Sequence, residues 1–193
     1  MLLEFVKFLI RCFLRLCFRI KVNNKENLPK EGGVIVCFNH RSNWDVPVTS
    51  SFLKRKLHFM AKKELFDIFL LGRIIAWSGA FPVSRGKGDI GAIKSAVTNL
   101  KEGKAVAMFP EGTRVKKEAE HKAKAGIALI ANMADCLVLP VGISGEYRLF
   151  SKIDINIGKP YKINPEREKL DADHLQKISD EILHKILLLA EAK

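Results

Sequence analysis

The sequence is poor in the residues that build special-purpose scaffolds. Only four of its 193 residues are cysteine, at 12, 17, 37 and 136, and none stands in C-x-x-C spacing. That excludes a disulfide or zinc framework and is the usage of reduced thiols packed among apolar side chains. Five histidines include no H-x-x-x-H and no H-E-x-x-H pair, so no metal centre is expected. There is no internal repeat and no low-complexity tract. Long uncharged runs are missing too: between Lys7 and Arg19 none exceeds three residues. A spanning helix needs ~20 mainly apolar residues and a signal peptide an apolar stretch of ~7–15, so the N-terminal region reads as neither. Acid is scarce as well. Asp and Glu number 21 against 33 Lys and Arg, and 33 − 21 leaves a formal charge of +12. With 48% hydrophobic and 28% charged residues, the chain has the make-up of one ordinary globular domain with a core of its own. The unbalanced charge asks for an anionic partner: nucleic acid, an anionic membrane or phosphorylated substrates.

The sequence divides into an arm, residues 1–24, and a body, residues 25–193. In the arm, Glu4, Lys7, Arg11, Arg15 and Arg19 recur every three or four residues. On a helix they form a stripe about 120° wide. The rest of the surface is Leu, Ile, Val, Cys and four phenylalanines, Phe5, Phe8, Phe13 and Phe18. This is the pattern of a helix lying in a membrane interface, each cation gaining about 1 kcal/mol near anionic head groups. A helix packed on the protein's own core would share much of it, but the width of the apolar arc favours the interface. The charge is uneven along the chain. Residues 1–30 hold seven Lys and Arg against Glu4 and Glu26, and residues 54–63 hold five with no acid.

In the body, short apolar runs at 34–38, 57–61, 80–83, 105–109, 137–143 and 153–157 read as strands. Helical patterns fall between them at 46–53, 89–102 and 125–134 and again at the C-terminus, where Asp173 and Gln176 form a capping box. Residues 63–77 are either a buried helical pair or a second membrane-facing surface. Alternating strands and helices predict an α/β fold: one domain with a largely parallel central sheet flanked by helices, preceded by the amphipathic membrane-surface helix. Chemistry is then expected where strands end.

Three strand ends carry reactive side chains. Asn39-His40-Arg41-Ser42-Asn43-Trp44-Asp45 follows the first strand of the body. A histidine held by a carboxylate is a general base, although Asp45 could instead cap the next helix. Phe109-Pro110-Glu111-Gly112-Thr113-Arg114 offers a glycine for close backbone approach, a hydroxyl and a guanidinium, the parts of an anion site. Residues 79–85 place Arg85 after a short strand. Together they suggest proton transfer on a phosphate-anchored substrate.

These segments resemble the ordered blocks of the glycerolipid acyltransferases: N-H-x4-D at 39–45, G-x-F-P-V-x-R at 79–85, F-P-E-G-T-R at 109–114 and V-L-P-V-G at 138–142. The likeness is strongest to bacterial 1-acyl-glycerol-3-phosphate, or lysophosphatidate, acyltransferases. It implies that His40 deprotonates the acceptor's hydroxyl, oriented by Asp45. Arg85, Gly112, Thr113 and Arg114 would hold the acceptor's phosphate, and Glu111 would position the acceptor. The co-substrate would be an acyl thioester, carried by coenzyme A or acyl carrier protein, with no cofactor and no metal. The product would be phosphatidate for phospholipid synthesis. Where the family usually carries an aromatic-Lys-x-Gly segment, this sequence has Ala123-Lys124-Ala125-Gly126.

The expected partners are therefore an anionic membrane surface, lysophosphatidate and the thioester, at the cytoplasmic face of the membrane and attached peripherally. Glycerol 3-phosphate or another lysophospholipid is the alternative acceptor. A nucleic-acid-binding protein and a non-catalytic membrane adaptor are more distant readings. The first lacks aromatics interleaved with Lys and Arg. The second leaves the strand-end segments unexplained.

Overall fold

A computed structural model describes residues 2–83, 89–115 and 121–192. Its elements are α1 (Leu2–Cys17), β1 (Arg19–Asn23), β2 (Val34–Phe38), α2 (Asp45–Phe52), β3 (Leu57–Lys62), α3 (Phe69–Ser78), β4 (Phe81–Val83), α4 (Ile90–Lys101), β5 (Ala105–Met108), α5 (Gly126–Ala134), β6 (Leu137–Ser144), β7 (Lys152–Ile157) and α6 (Ala172–Glu191). The strands form one seven-stranded sheet in the order β1-β7-β6-β2-β5-β3-β4. Among these strands only the β6–β7 pairing is antiparallel, so β6, β2, β5, β3 and β4 point one way and β7 and β1 the other. This is the α/β domain with a mostly parallel sheet that the alternating pattern predicts.

The sheet is covered on both faces, and period-two alternation along β2 sorts its side chains between them. Val34, Val36 and Phe38 face a core with Leu14 of α1 and Val48 of α2. Ile35 and Cys37 face a second core with Val97 of α4, Ile127 of α5 and Ile182 of α6. Every residue of β2 is buried, which is why that strand reads as an unbroken apolar run rather than an alternating one. The V-L-P-V-G block is the middle of β6. A Cβ at Gly142 would lie 2.2 Å from the Ala190 backbone nitrogen, so this glycine lets α6 rest directly on the sheet.

Four expectations change. The arm is not all helix: α1 ends at Cys17, and residues 19–23 are a strand paired in parallel with β7. The chain therefore enters the sheet inside the segment that reads as a separate arm. The last helix is capped by Asp171, whose carboxylate accepts from the His174 N–H at 2.9 Å. Asp173 lies inside the first turn, and Gln176 donates to the Ala123 carbonyl. Residues 63–77 are not a buried pair: in α3 only Gly72 is buried, and Phe69, Leu70 and Ile74 are exposed. Finally, Cys37 and Cys136 are buried thiols, but Cys12 is exposed. Burial raises the Cys37 thiol well above its ordinary value and pushes Cys136 up to about 11, so both stay protonated.

Candidate active site

Parallel strands put several loops at one end of the sheet, and two adjacent ones diverge there. From β2 the chain runs to α2 on one face; from its neighbour β5 it runs to α5 on the other. Such divergence opens a crevice beyond the strand ends. His40 follows β2 and Glu111 follows β5, so each rim of the crevice carries one of the two segments marked in the sequence.

The β2–α2 loop is built around one buried carboxylate. Asn39, itself buried, continues the sheet past the end of β2: its side-chain amide donates to the Ile143 carbonyl at 2.9 Å and accepts from the Ile143 N–H at 2.8 Å. Asp45 then turns the chain. Its Oδ2 accepts from the Arg41 and Ser42 N–H groups at 2.8 and 2.7 Å and lies 2.9 Å from His40 Nδ1. Asp45 is the first residue of α2, where the helix dipole favours negative charge. These donors compensate the desolvation of a fully buried side chain. Asp45 is thus the partner of His40 and the organiser of its loop, not the cap of the helix.

With its Nδ1–H donated to Asp45, the His40 ring keeps a lone pair on Nε2. The ring stacks on Phe109 with centroids 4.0 Å apart, and Phe109 leans on Phe38 and Phe59. An aromatic wall therefore fixes the plane of the imidazole, while the carboxylate fixes its rotation. A second donor reaches Asp45 from another part of the chain. Tyr147, just beyond β6, donates from its hydroxyl to Asp45 Oδ1 at 2.9 Å. Burial, and then the neighbouring Asp45 charge, raise the Tyr147 phenol far above its ordinary value, so it stays a donor. Its ring meets Phe18 edge-on, and Phe18 packs edge-on against Trp44. No local pattern marked Tyr147, because it lies 102 residues from Asp45.

Across the crevice, the Glu111 side chain is fully buried and both its oxygens are engaged. Oε2 accepts the His40 backbone N–H at 2.8 Å, and Oε1 pairs with His121 Nδ1. Glu111 therefore ties the β5 loop to the β2 loop. The tie is reinforced by Val115, whose N–H donates to the His40 carbonyl at 2.9 Å. Gly112 has φ +68°, and a Cβ there would sit 2.9 Å from Lys124 Nζ, so the lysine lies across the glycine. Thr113 and Arg114 are exposed on the rim. Arg85 lies outside the described residues. His121 carried no signal in the sequence; its partner stands ten residues earlier with no recognisable spacing.

The arrangement can take a proton from a bound hydroxyl at His40 Nε2, and the β5 loop that Glu111 ties to the His40 loop carries Gly112, Thr113 and Arg114, with Lys124 across Gly112, groups suited to an anion. Comparison with known proteins identifies the family. A family model described as Acyltransferase matches residues 19–144. A 1-acyl-sn-glycerol-3-phosphate acyltransferase of Bacillus subtilis (strain 168) is 34% identical over 175 residues, covering 84% of this chain and 86% of that one. One of Streptococcus pneumoniae (strain ATCC BAA-255 / R6) is 32% identical over 169 residues, covering 83% of this chain and 62% of that one. The fold is also that of the crystal structure of the 1-acyl-sn-glycerophosphate (LPA) acyltransferase PlsC from Thermotoga maritima, with a TM-score of 0.76 at 24% identity over 99% of this chain and 80% of that one. Since the family match spans both loops that meet at His40, the chain belongs to the acyltransferase family.

Proposed function

We propose that this acyltransferase moves a fatty acyl group from an acyl thioester to the free hydroxyl of 1-acyl-glycerol 3-phosphate, forming phosphatidate. The observation that carries the reading is the His40–Asp45 pair, 2.9 Å apart at the crevice between β2 and β5. His40 Nε2 takes the hydroxyl proton as the acceptor oxygen attacks the thioester carbonyl. The new C–O bond forms, the C–S bond breaks, and the imidazolium returns its proton to the departing sulfur. Asp45 and Tyr147 hold the ring in place throughout. General-base assistance of this kind contributes about 10²–10⁴-fold. Arg114 and Lys124, with the backbone at Gly112, supply the cationic side that receives the acceptor's phosphate. The relatives from Bacillus subtilis and Streptococcus pneumoniae are 1-acyl-sn-glycerol-3-phosphate acyltransferases, which supports lysophosphatidate as acceptor over glycerol 3-phosphate. The donor is a thioester of coenzyme A or acyl carrier protein, and both carriers are anionic and drawn to a basic surface.

The reaction joins lipids, and two exposed apolar helices flank the site. Phe5, Phe8, Leu9, Phe13 and Leu16 of α1 are at least half exposed, as are Phe69 and Leu70 of α3. Because β1 runs opposite to β2, the end of α1 lies at the same end of the sheet as the start of α3, the end where His40 sits. No helix among the described residues is long and apolar enough to cross a membrane. Peripheral attachment through these helices to an anionic, cytoplasm-facing leaflet would bring His40 to its lipid substrate. The test is thiol release by purified protein on liposomes, with each candidate acceptor and with none, followed by mass spectrometry of the lipid. Lysophosphatidate-dependent release with phosphatidate as product is expected. Acceptor-independent hydrolysis, or preference for another acceptor, would contradict the proposal.

A further inference from the structure

The site holds two histidine–carboxylate pairs, and the proposed reaction uses one. His40 stands on Asp45, and His121 stands on Glu111 through the same ring nitrogen, Nδ1. The pairs are joined, since the other Glu111 oxygen holds the His40 backbone N–H. Their surroundings differ. The His40 ring is sandwiched against Phe109. His121 belongs to the connection between β5 and α5, whose ends are anchored by the Val115 N–H on the His40 carbonyl and the Lys124 N–H on the Pro110 carbonyl. The Glu111 side chain is 0% exposed and that of His121 is 20% exposed. With its side chain fully buried and both oxygens engaged inside the protein, Glu111 is shielded from a bound acceptor, and the part of the pair that reaches solvent is the His121 ring. It emerges on the stretch that also carries Arg114, at the rim, and Lys124, lying across Gly112.

We propose that His121 is a further acceptor-binding residue, whose Nε2 donates to the acceptor's phosphate while Nδ1 rests on Glu111. Between a carboxylate and a phosphate oxygen, both ring nitrogens donate, and a charge-assisted hydrogen bond forms on each side. Glu111 then positions the acceptor indirectly, through His121, and the same carboxylate holds the loop of the catalytic base. This builds on the lysophosphatidate reading and gives its phosphate a third cationic contact beside Arg114 and Lys124.

Three variants of the full chain test the assignment, assayed on liposomes with both substrates varied. His121→Asn keeps an N–H near the Nδ1 position and so keeps the brace on Glu111, but it cannot reach the phosphate. His121→Gln restores a donor near the Nε2 position. We expect the acceptor KM to rise by about tenfold or more in His121→Asn, with kcat and the donor KM nearly unchanged, as for lost uniform binding, and at least as much in His121→Ala, which also strips the buried Glu111 of its partner. Partial recovery is expected in His121→Gln. An acceptor KM at the wild-type value in His121→Asn would overturn the proposal and leave His121 as a brace alone; a selective fall in kcat would do the same. If His121→Ala fails to fold, the Asn variant decides by the same criterion. A wild-type protein that is active on lysophosphatidate beside a silent His121→Asn defeats this inference only. A wild-type protein inactive on lysophosphatidate defeats it together with the reading on which it rests.

Discussion

At the scale of single residues, the site depends on what surrounds His40 as much as on the histidine itself. Asp45 Oδ2 gathers His40 Nδ1 and two backbone N–H groups, and Oδ1 takes the Tyr147 hydroxyl. Replacing Asp45 with Asn puts an amide, with one acceptor oxygen, where a carboxylate accepts from four donors. Turnover is expected to fall by about 10²-fold or more, on the general-base scale, measured as acceptor-dependent thiol release. Tyr147→Phe removes one donor from a buried carboxylate, a loss of about 1–3 kcal/mol in a thermal or denaturant unfolding curve, with a several-fold lower kcat. A Tyr147→Phe protein with wild-type stability and kcat would remove the phenol from this account. His40 and Asp45 were legible because they fall within one short segment after a strand. Tyr147 and His121 were not, because they reach the site from other elements and a contact across 102 residues leaves no mark in local spacing.

At the scale of elements, α1 divides its surface three ways rather than two. Leu14 is fully buried, and Ile10 packs against the same core. Arg11 donates to the Ser51 carbonyl of α2 at 2.9 Å, and Arg15 lies over the Phe52 ring. Phe5, Phe8, Leu9 and Leu16 remain exposed. The core-packing reading therefore holds for one side of the helix, while another side presents apolar side chains outward. Leu14→Ala should cost about 2–5 kcal/mol of stability, as core truncations do, which an unattached arm would not show. A Phe8→Asp, Leu9→Asp double variant should instead keep its unfolding midpoint and co-sediment with anionic liposomes at least about tenfold less, since each buried side chain of this size is worth about 1.5–3 kcal/mol. Full retention of the double variant would move the attachment to α3. Deleting residues 1–21 would separate nothing cleanly, because β1 begins at Arg19. That strand escaped the sequence reading because Arg19 continues the charge spacing of α1 and only five residues pair. The central strands were legible because burial on both faces makes them continuously apolar.

At the scale of the whole molecule, the sheet explains why segments 71 residues apart, at His40 and Glu111, meet at all. Parallel neighbours that leave toward opposite faces hold the two loops across one crevice. The order of strands and the pairing of β1 with β7 were not legible, since nothing local specifies which strand becomes a neighbour. The net charge of +12 belongs to this scale too. Residues 159–193 carry seven charges of each sign, so the excess comes from elsewhere, notably residues 1–30 and 54–63. Attachment to anionic vesicles should weaken as salt is raised beyond the physiological range, where screening falls to within about 8 Å, and attachment to zwitterionic vesicles should change little. The central claim remains that His40 is the proton acceptor of acyl transfer. Its most direct test is the rate of lysophosphatidate-dependent thiol release by His40→Ala, measured on protein whose circular dichroism and unfolding midpoint match the wild type. The account predicts a loss of about 10²-fold or more. Near-normal turnover by that folded variant would contradict it.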